Sequence, residues 1–252
     1  VIDAGLPVHA FFSMRDGGVS AAPFDSLNLA DHLGDEPTAV ARNRDTLAEA
    51  AGAPVSFVVA EHGLRVHHVS DAAAPVPVAD ILITDVPGIA LAALAADCVP
   101  LLLHDAADGA VVAAHIGRRG LFAGAVDAAV AALLNLRPAR SSRDLISASV
   151  GPAICGRCYE VPLDMRREMA GRHPAAVSTT RWATPALDIP RAIETRLDEL
   201  GVGQVVRSAV CTFEDEHYFS HRRDDLTGRQ GGVVVCGAAP GVSLLGAPAT
   251  AP

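Results

Sequence analysis

The side chains with the widest chemical reach are concentrated between Ala95 and Gly120. The segment reads Ala95-Ala96-Asp97-Cys98-Val99-Pro100, then Leu101-Leu102-Leu103, a turn from Asp105 to Gly109, apolar Ala110 to Ala114, and His115-Ile116-Gly117-Arg118-Arg119-Gly120. Two β-like runs joined by Asp-Gly punctuation read as a hairpin. A hairpin brings its outer ends together, and these ends carry Cys98 and His115. A thiol and an imidazole meeting at the mouth of a sheet suit either a metal site or a nucleophile–base pair. The plainer alternative is a small buried thiol beside a histidine that ends a strand. Asp97 breaks the apolar run from Ile89 to Leu103, and a carboxylate in such a run needs a partner.

Other reactive side chains are dispersed. His62-Gly63 follows a predicted strand, Val55 to Val59, where a rigid support can present a functional group. His67 and His68 open another short strand and read as surface residues. Cys155-Gly156-Arg157-Cys158 has the spacing of half a zinc knuckle or of a redox pair. No second Cys-x-x-Cys completes a zinc site, and the same residues also fit a simple turn packed by small side chains. Gly17-Gly18 is a weak phosphate-loop signal and reads more simply as a turn.

The elements that position these groups follow from composition and periodicity. Half of the 252 residues are hydrophobic, with few aromatics, so the core is built from small aliphatic side chains in many close-packed elements. Strands are expected at Phe11 to Arg15, Val55 to Val59, Asp80 to Thr84, Gly88 to Ala95, Leu145 to Val150, Val205 to Val210 and Val233 to Cys236, besides the hairpin. Asp35-Glu36-Pro37 opens a helix over Thr38 to Ala51 that Gly52 stops, with Val40, Leu47 and Ala51 on one face and Asn43 and Arg44 on a solvated one. Further helices are expected at Leu121 to Leu136, Pro162 to Gly171 and Leu187 to Leu200. The segment His173 to Ala186 shows no clear period and reads as a surface excursion. Short strands with helices at irregular intervals predict one mixed α/β domain spanning residues 1–252, with its core at about 11–236 and a loose tail at 238–252.

The formal net charge of -9 argues against a nucleic-acid surface, and every one of the 20 basic residues is Arg, a coding bias more than a basic patch. The most apolar stretch, Val86 to Leu103, contains Pro87, Gly88, Asp97 and Pro100 and is a poor membrane span. Residues 1–12 lack the basic start and apolar core of a secretory signal, and a first residue that is not Met reads as a processed or trimmed start. A cytoplasmic protein with reduced thiols is the expectation.

Several separated motifs agree with one family. They are Arg15-Asp16-Gly17-Gly18-Val19-Ser20 with Ser26-Leu27-Asn28-Leu29; Gly34-Asp35 with Asn43-Arg44; His62-Gly63; Ala96-Asp97-Cys98-Val99-Pro100; and Ala114-His115 with Gly117 and Arg119-Gly120. Gly151-Pro152-Ala153-Ile154 with Cys158-Tyr159-Glu160-Val161, Cys211-Thr212, and Phe219 to Asp224 with Thr227-Gly228-Arg229 complete the set. From Phe11 to about Val235 the chain resembles the YfiH-like family, first called multicopper polyphenol oxidases or laccases. Its members have since been described as purine nucleoside phosphorylases and peptidoglycan editing factors.

The resemblance implies a sandwich of mixed sheets flanked by helices, with one zinc held by His62, Cys98 and His115. It also implies phosphorolysis of purine nucleosides and deamination of adenosine at the same site. Asp97, Cys98 and His115 are the expected catalytic residues. Arg15, Asn28, Arg44 and Arg222 are the expected substrate-binding residues, the arginines because their forks suit phosphate. Three protein ligands leave zinc an open position, the catalytic arrangement. The chain departs from the family at Ala60-Glu61, where Gln-Val is usual, and at Arg118, where Trp is usual. These changes add charge beside the metal.

Alternatives are a copper-dependent polyphenol oxidase, a Cys98/His115 hydrolase acting on peptidoglycan precursors, and a module that binds a nucleotide-like ligand without turnover. A multicopper oxidase needs many paired histidines, and the chain has no His-x-His. The expected partners are a purine nucleoside and phosphate, with no nucleic acid and no membrane, and the chain is expected to be a monomer or weak homodimer.

Overall fold

The computed structural model describes residues 1–237 apart from 137 and 140. The expected loose tail at 238–252 lies outside the described residues. The architecture is a sandwich of two mixed sheets with helices on both outer faces. One sheet contains β1 (Ile2–Asp3), β2 (Ala10–Phe12), β3 (Val55–Phe57), β6 (Ala90–Ala95) and β13 (Gln230–Val235), in the order β1-β2-β13-β6-β3. The other contains β4 (Val66–His68), β5 (Ile81–Thr84), β7 (Val99–Asp105), β8 (Val111–Ile116), β9 (Ile146–Val150) and β12 (Gln204–Arg207), in the order β12-β9-β7-β8-β5-β4. A separate pair, β10 (Val177–Thr179) with β11 (Pro185–Leu187), occupies the stretch expected to be irregular.

Three apolar layers hold the sandwich together. Between the sheets pack Phe12, Leu91, Ala93 and Val234 from one and Leu82, Leu102, Val111 and Ala113 from the other. The outer face of the six-stranded sheet, with Ile81, Leu101, Leu103, Val112 and Ala114, is covered by four helices. These are α2 (Arg118–Ala123), α3 (Ala125–Leu136), α4 (Leu163–Arg172) and α5 (Ile189–Glu199). The outer face of the five-stranded sheet, with Phe11, Ala92, Leu94 and Val233, is covered by α1 (Pro37–Ala51) through Leu47 and Ala51. Strands β6, β7 and β8 are buried along their whole length. A sheet covered on both faces needs apolar residues on both, which is why these strands read as unbroken apolar runs.

The expected hairpin forms between β7 and β8, with Pro100 opposite His115. Helix α1 begins one residue earlier than expected, its Glu36 cap accepting from Thr38 N–H, and ends at left-handed Gly52. Two further expectations are corrected. The single helix Leu121 to Leu136 is two, broken at Gly124, whose φ of 103° and N–H bonds to Gly120 and Leu121 carbonyls terminate α2. Asn43 is not on a solvated face. It is 1% exposed and ties α1 to the glycine loop, accepting from Val19 N–H and donating to Ser20 Oγ, Ser26 O and Asn28 O.

Between Ala95 and Val99 the chain leaves one sheet and enters the other within three residues. That corner is Ala96-Asp97-Cys98, and Asp97 makes it with a φ of 86°. The left-handed region is costly for most side chains and better tolerated by Asp. The corner places Cys98 at the seam of the two sheets.

Candidate metal centre and its cavity

His115 stands on β8 opposite Pro100, which is two residues after Cys98. Its Nδ1–H donates to the carbonyl of Leu94 on β6, at 2.8 Å, so the imidazole spans from one sheet to the other. The bond leaves the Nε2 lone pair free. That atom is buried and has no hydrogen-bond partner among the described residues. Burial holds the imidazole below its usual pKa, against the opposing influence of the Leu94 carbonyl and the Asp80 carboxylate, so the ring is neutral and fit to ligate.

His62 reaches the same point from the loop after β3. Its backbone is left-handed, φ 65°, and the preceding Glu61 N–H is held by buried Asp80 at 2.9 Å. His62 Nε2 lies 3.8 Å from Cys98 Sγ, and the two imidazoles meet edge to face with centroids 4.8 Å apart. One ligand atom each from His62, Cys98 and His115 falls within 4.8 Å of the others. Gly117 closes the cradle: a Cβ there would stand 2.8 Å from His62 Cδ2 and 2.9 Å from Cys98 Sγ. Two imidazoles and a thiol converging on a buried, unpartnered nitrogen form a donor set that fits a divalent zinc ion with a fourth position open.

Beside Cys98 opens a cavity of about 140 Å³, walled by Ile154, Tyr159 and Ile189 and with Arg118 and Arg222 in its lining. The Arg222 guanidinium lies 5.0 Å over the Tyr159 ring and donates to Glu160 O at 2.8 Å. Burial raises the Tyr159 phenol above its usual pKa, with the nearby Arg118 and Arg222 charges opposing. Asp97, which also lines the cavity, is held in a hydrogen-bond clamp. Its Oδ1 accepts from Thr212 Oγ1 and Ser220 Oγ, both at 2.7 Å, and its Oδ2 accepts from Arg222 N–H at 2.6 Å. Asp97 therefore fastens the corner that bears Cys98 to the short helix α6 (His221–Asp224) that bears Arg222.

Of the substrate-binding residues expected from sequence, Arg222 lines this cavity and the others do not. Arg44 lines a different one, where it pairs with Asp31 at 3.1 Å, donates to Leu29 O and stacks 4.4 Å over Phe57. Arg15 pairs with Asp25 and lies 5.3 Å over Phe219. Asn28 is fully buried, donating to Ala30 O and Asp35 and accepting from Arg229 N–H. Sequence reasoning singled out no role for Asp80, Thr212, Ser220 or Tyr159. Asp80, a carboxylate opening an apolar strand, was the clearest signal available.

The family model described as multi-copper polyphenol oxidoreductase laccase matches residues 9–237. A Streptomyces coelicolor protein named purine nucleoside phosphorylase is 48% identical over 234 residues, covering 90% of this chain and 94% of the relative. A Mycobacterium tuberculosis protein of the same name is 44% identical over 231 residues, covering 90% and 91%. Among solved structures, the Neisseria meningitidis protein NMB0706 superposes with a TM-score of 0.84 at 32% identity, covering 94% of this chain and 99% of that one. YlmD from Geobacillus stearothermophilus superposes with a TM-score of 0.81, also at 32% identity, covering 90% and 91%. The chain belongs to the family described as multi-copper polyphenol oxidoreductase laccase, whose curated relatives here carry the name purine nucleoside phosphorylase.

Proposed function

We propose that this chain is a zinc-dependent purine nucleoside phosphorylase, converting adenosine, inosine or guanosine and phosphate to free base and ribose 1-phosphate, with adenosine deamination at the same site. The observation that carries this reading is the convergence of His62, Cys98 and His115 around the unpartnered Nε2 of His115, at the mouth of a cavity that holds an arginine and a tyrosine. Zinc bound there supplies a Lewis acid and activates water at neutral pH.

The chain's own residues account for binding and orientation. Arg222 offers phosphate a planar fork suited to bidentate contact, and its stacking on Tyr159 limits the directions that fork can take. Ile154 and Tyr159 offer the base an apolar wall. In phosphorolysis a phosphate oxygen bonds to the sugar C1′ as the glycosidic C–N bond breaks, and the bond's electron pair leaves with the base. We assign Asp97 the positioning of Cys98 and Arg222, because both its oxygens are already occupied as acceptors.

Purified protein incubated with inosine, with and without phosphate, tests the reading. Free base and ribose 1-phosphate in stoichiometric amounts, formed only with phosphate, are expected, and adenosine should also release ammonia. Absence of phosphate-dependent base release overturns phosphorolysis.

A further inference from the structure

Apart from the His62–Cys98–His115 centre, three of the remaining four cysteines meet at one place. Cys155-Gly156-Arg157-Cys158 and Cys211-Thr212-Phe213-Glu214 form two turns joined by a parallel bridge between Ala153 and Cys211. The turns fold alike. In the first, Cys158 N–H and Tyr159 N–H donate to Cys155 O, each at 3.0 Å. In the second, Glu214 N–H and Asp215 N–H donate to Cys211 O at 3.1 and 3.0 Å. Each turn thus presents its first and fourth side chains to a common point. The Sγ atoms of Cys155, Cys158 and Cys211 and a carboxylate oxygen of Glu214 all lie within 4.8 Å of one another.

We propose that Cys155, Cys158, Cys211 and Glu214 are the four ligands of a second metal site, closed and structural, that takes zinc. A tetrahedron with zinc–sulfur bonds of about 2.3 Å has edges of about 3.8 Å, so the donors need to close by no more than about 1 Å. Three thiolates select against the hard cations that prefer oxygen, and four protein ligands leave no position for substrate. Three thiolates and a carboxylate around a divalent ion leave a net charge of about -2. Arg181 is placed to offset it, donating to Cys158 Sγ at 3.1 Å and pairing with Glu214 at 3.2 Å. Cys158 and Cys211 are buried and Cys155 half-buried, while Glu214 is exposed, so an ion can enter from the carboxylate side.

The second ion braces the first centre's surroundings. Ile154 and Tyr159, which wall the cavity, flank Cys155 and Cys158 in sequence. Thr212, which holds Asp97, follows Cys211. Zinc at the four-ligand site joins these two segments, which also meet through the Ala153–Cys211 bridge, the Cys155 N–H bond to Cys211 Sγ at 3.3 Å and the Cys158 thiol's bond to Glu214 at 3.3 Å. This inference stands independently of the nucleoside reading.

The test is metal stoichiometry with a probe that reports the donor set. Protein purified under reducing conditions, without chelator, should hold about two zinc ions per chain by elemental analysis. Cys98→Ala and Glu214→Gln should each lose one, with the double variant losing both. Exchange of the wild-type protein with cadmium-113 should give two resonances, the one from the three-sulfur site lying further downfield than the one from two imidazoles and a thiolate. That measurement needs no variant and so does not depend on a substituted chain folding. Absence of the downfield resonance, or metal content that Glu214→Gln leaves unchanged, overturns the proposal. So does a disulfide among Cys155, Cys158 and Cys211 that persists in the reduced, metal-replete protein.

Discussion

The Nδ1–H of His115 donates to the carbonyl oxygen of Leu94 at 2.8 Å, binding a side chain of one sheet to the backbone of the other. This bond orients the imidazole, selects its tautomer and aims Nε2 at His62 and Cys98. The centre therefore depends on the sandwich being closed, because neither sheet alone holds the ring in place.

Loss of a ligand should abolish metal binding at this centre. Cys98→Ala should release its ion and lower phosphorolysis by more than about 100-fold, since the loss of outer hydrogen-bond partners alone costs about 10–100-fold in metal affinity. Elemental analysis and base release, measured on the same sample, check it. A chelator applied to the wild-type chain should do the same reversibly. A Cys98/His115 thiol hydrolase would keep its rate after chelation.

Gly117→Ala should weaken the same ion without unfolding the chain. The added Cβ would lie under 3 Å from both His62 Cδ2 and Cys98 Sγ, so one of the two must move. Zinc affinity should fall by about 10-fold or more, while circular dichroism and the denaturation midpoint stay near those of the wild type.

Asp97→Asn should raise KM for phosphate more than it lowers kcat. The amide turns an acceptor into a donor opposite either the Arg222 N–H or the two hydroxyls. A hydrogen bond to a charged group contributes about 1.5–3 kcal/mol, which corresponds to about 10–100-fold. Zinc content should be retained. An equal fall in kcat and kcat/KM, with KM unchanged, would point to a role in the reaction itself.

Asn43→Ala should destabilise the fold by about 2–4 kcal/mol, the range for breaking a buried polar network. The substitution leaves Val19 N–H and three oxygens in the loop without their partner. Chemical denaturation measures the change.

Stability should fall as pH drops below about 6.5. Burial lowers the pKa of His104, whose Nδ1 has no hydrogen-bond partner among the described residues, and lowers that of His173. Each is therefore protonated more readily unfolded than folded. The unfolded chain binds more protons in that window, so acid favours unfolding and the contribution is fully present above the unfolded pKa. The denaturation midpoint measured from pH 7.5 to 5 should decline, and His104→Gln should flatten the decline.

Much of the fold was legible because the signals are local. The apolar runs on either side of Asp105 to Gly109 describe the hairpin, and the Glu36 and Gly52 caps describe α1. The two-helix break at Gly124 was missed because a single glycine in an apolar helical pattern is ambiguous until its φ is known. Asn43 was misread because a polar residue in mid-helix looks solvated unless a distant loop is seen to fold over it. The cluster around Cys155 and Cys158 was illegible for a similar reason. Its partners come from Cys211 and Glu214, more than fifty residues on, with no second Cys-x-x-Cys to announce them.

Local signals along the chain were enough for most of the strands and helices, for bringing Cys98 and His115 to the same open end of the hairpin, and for the family. Periodicity, caps and turn residues act over a few positions, and family motifs are read as strings. Packing alone puts Arg222, and not Arg15 or Arg44, against the cavity, clamps Asp97 between Thr212 and Ser220, and brings three cysteines and a glutamate together. Those relations depend on how two sheets stack and where three loops meet. Packing sets them, and no spacing along the chain encodes them.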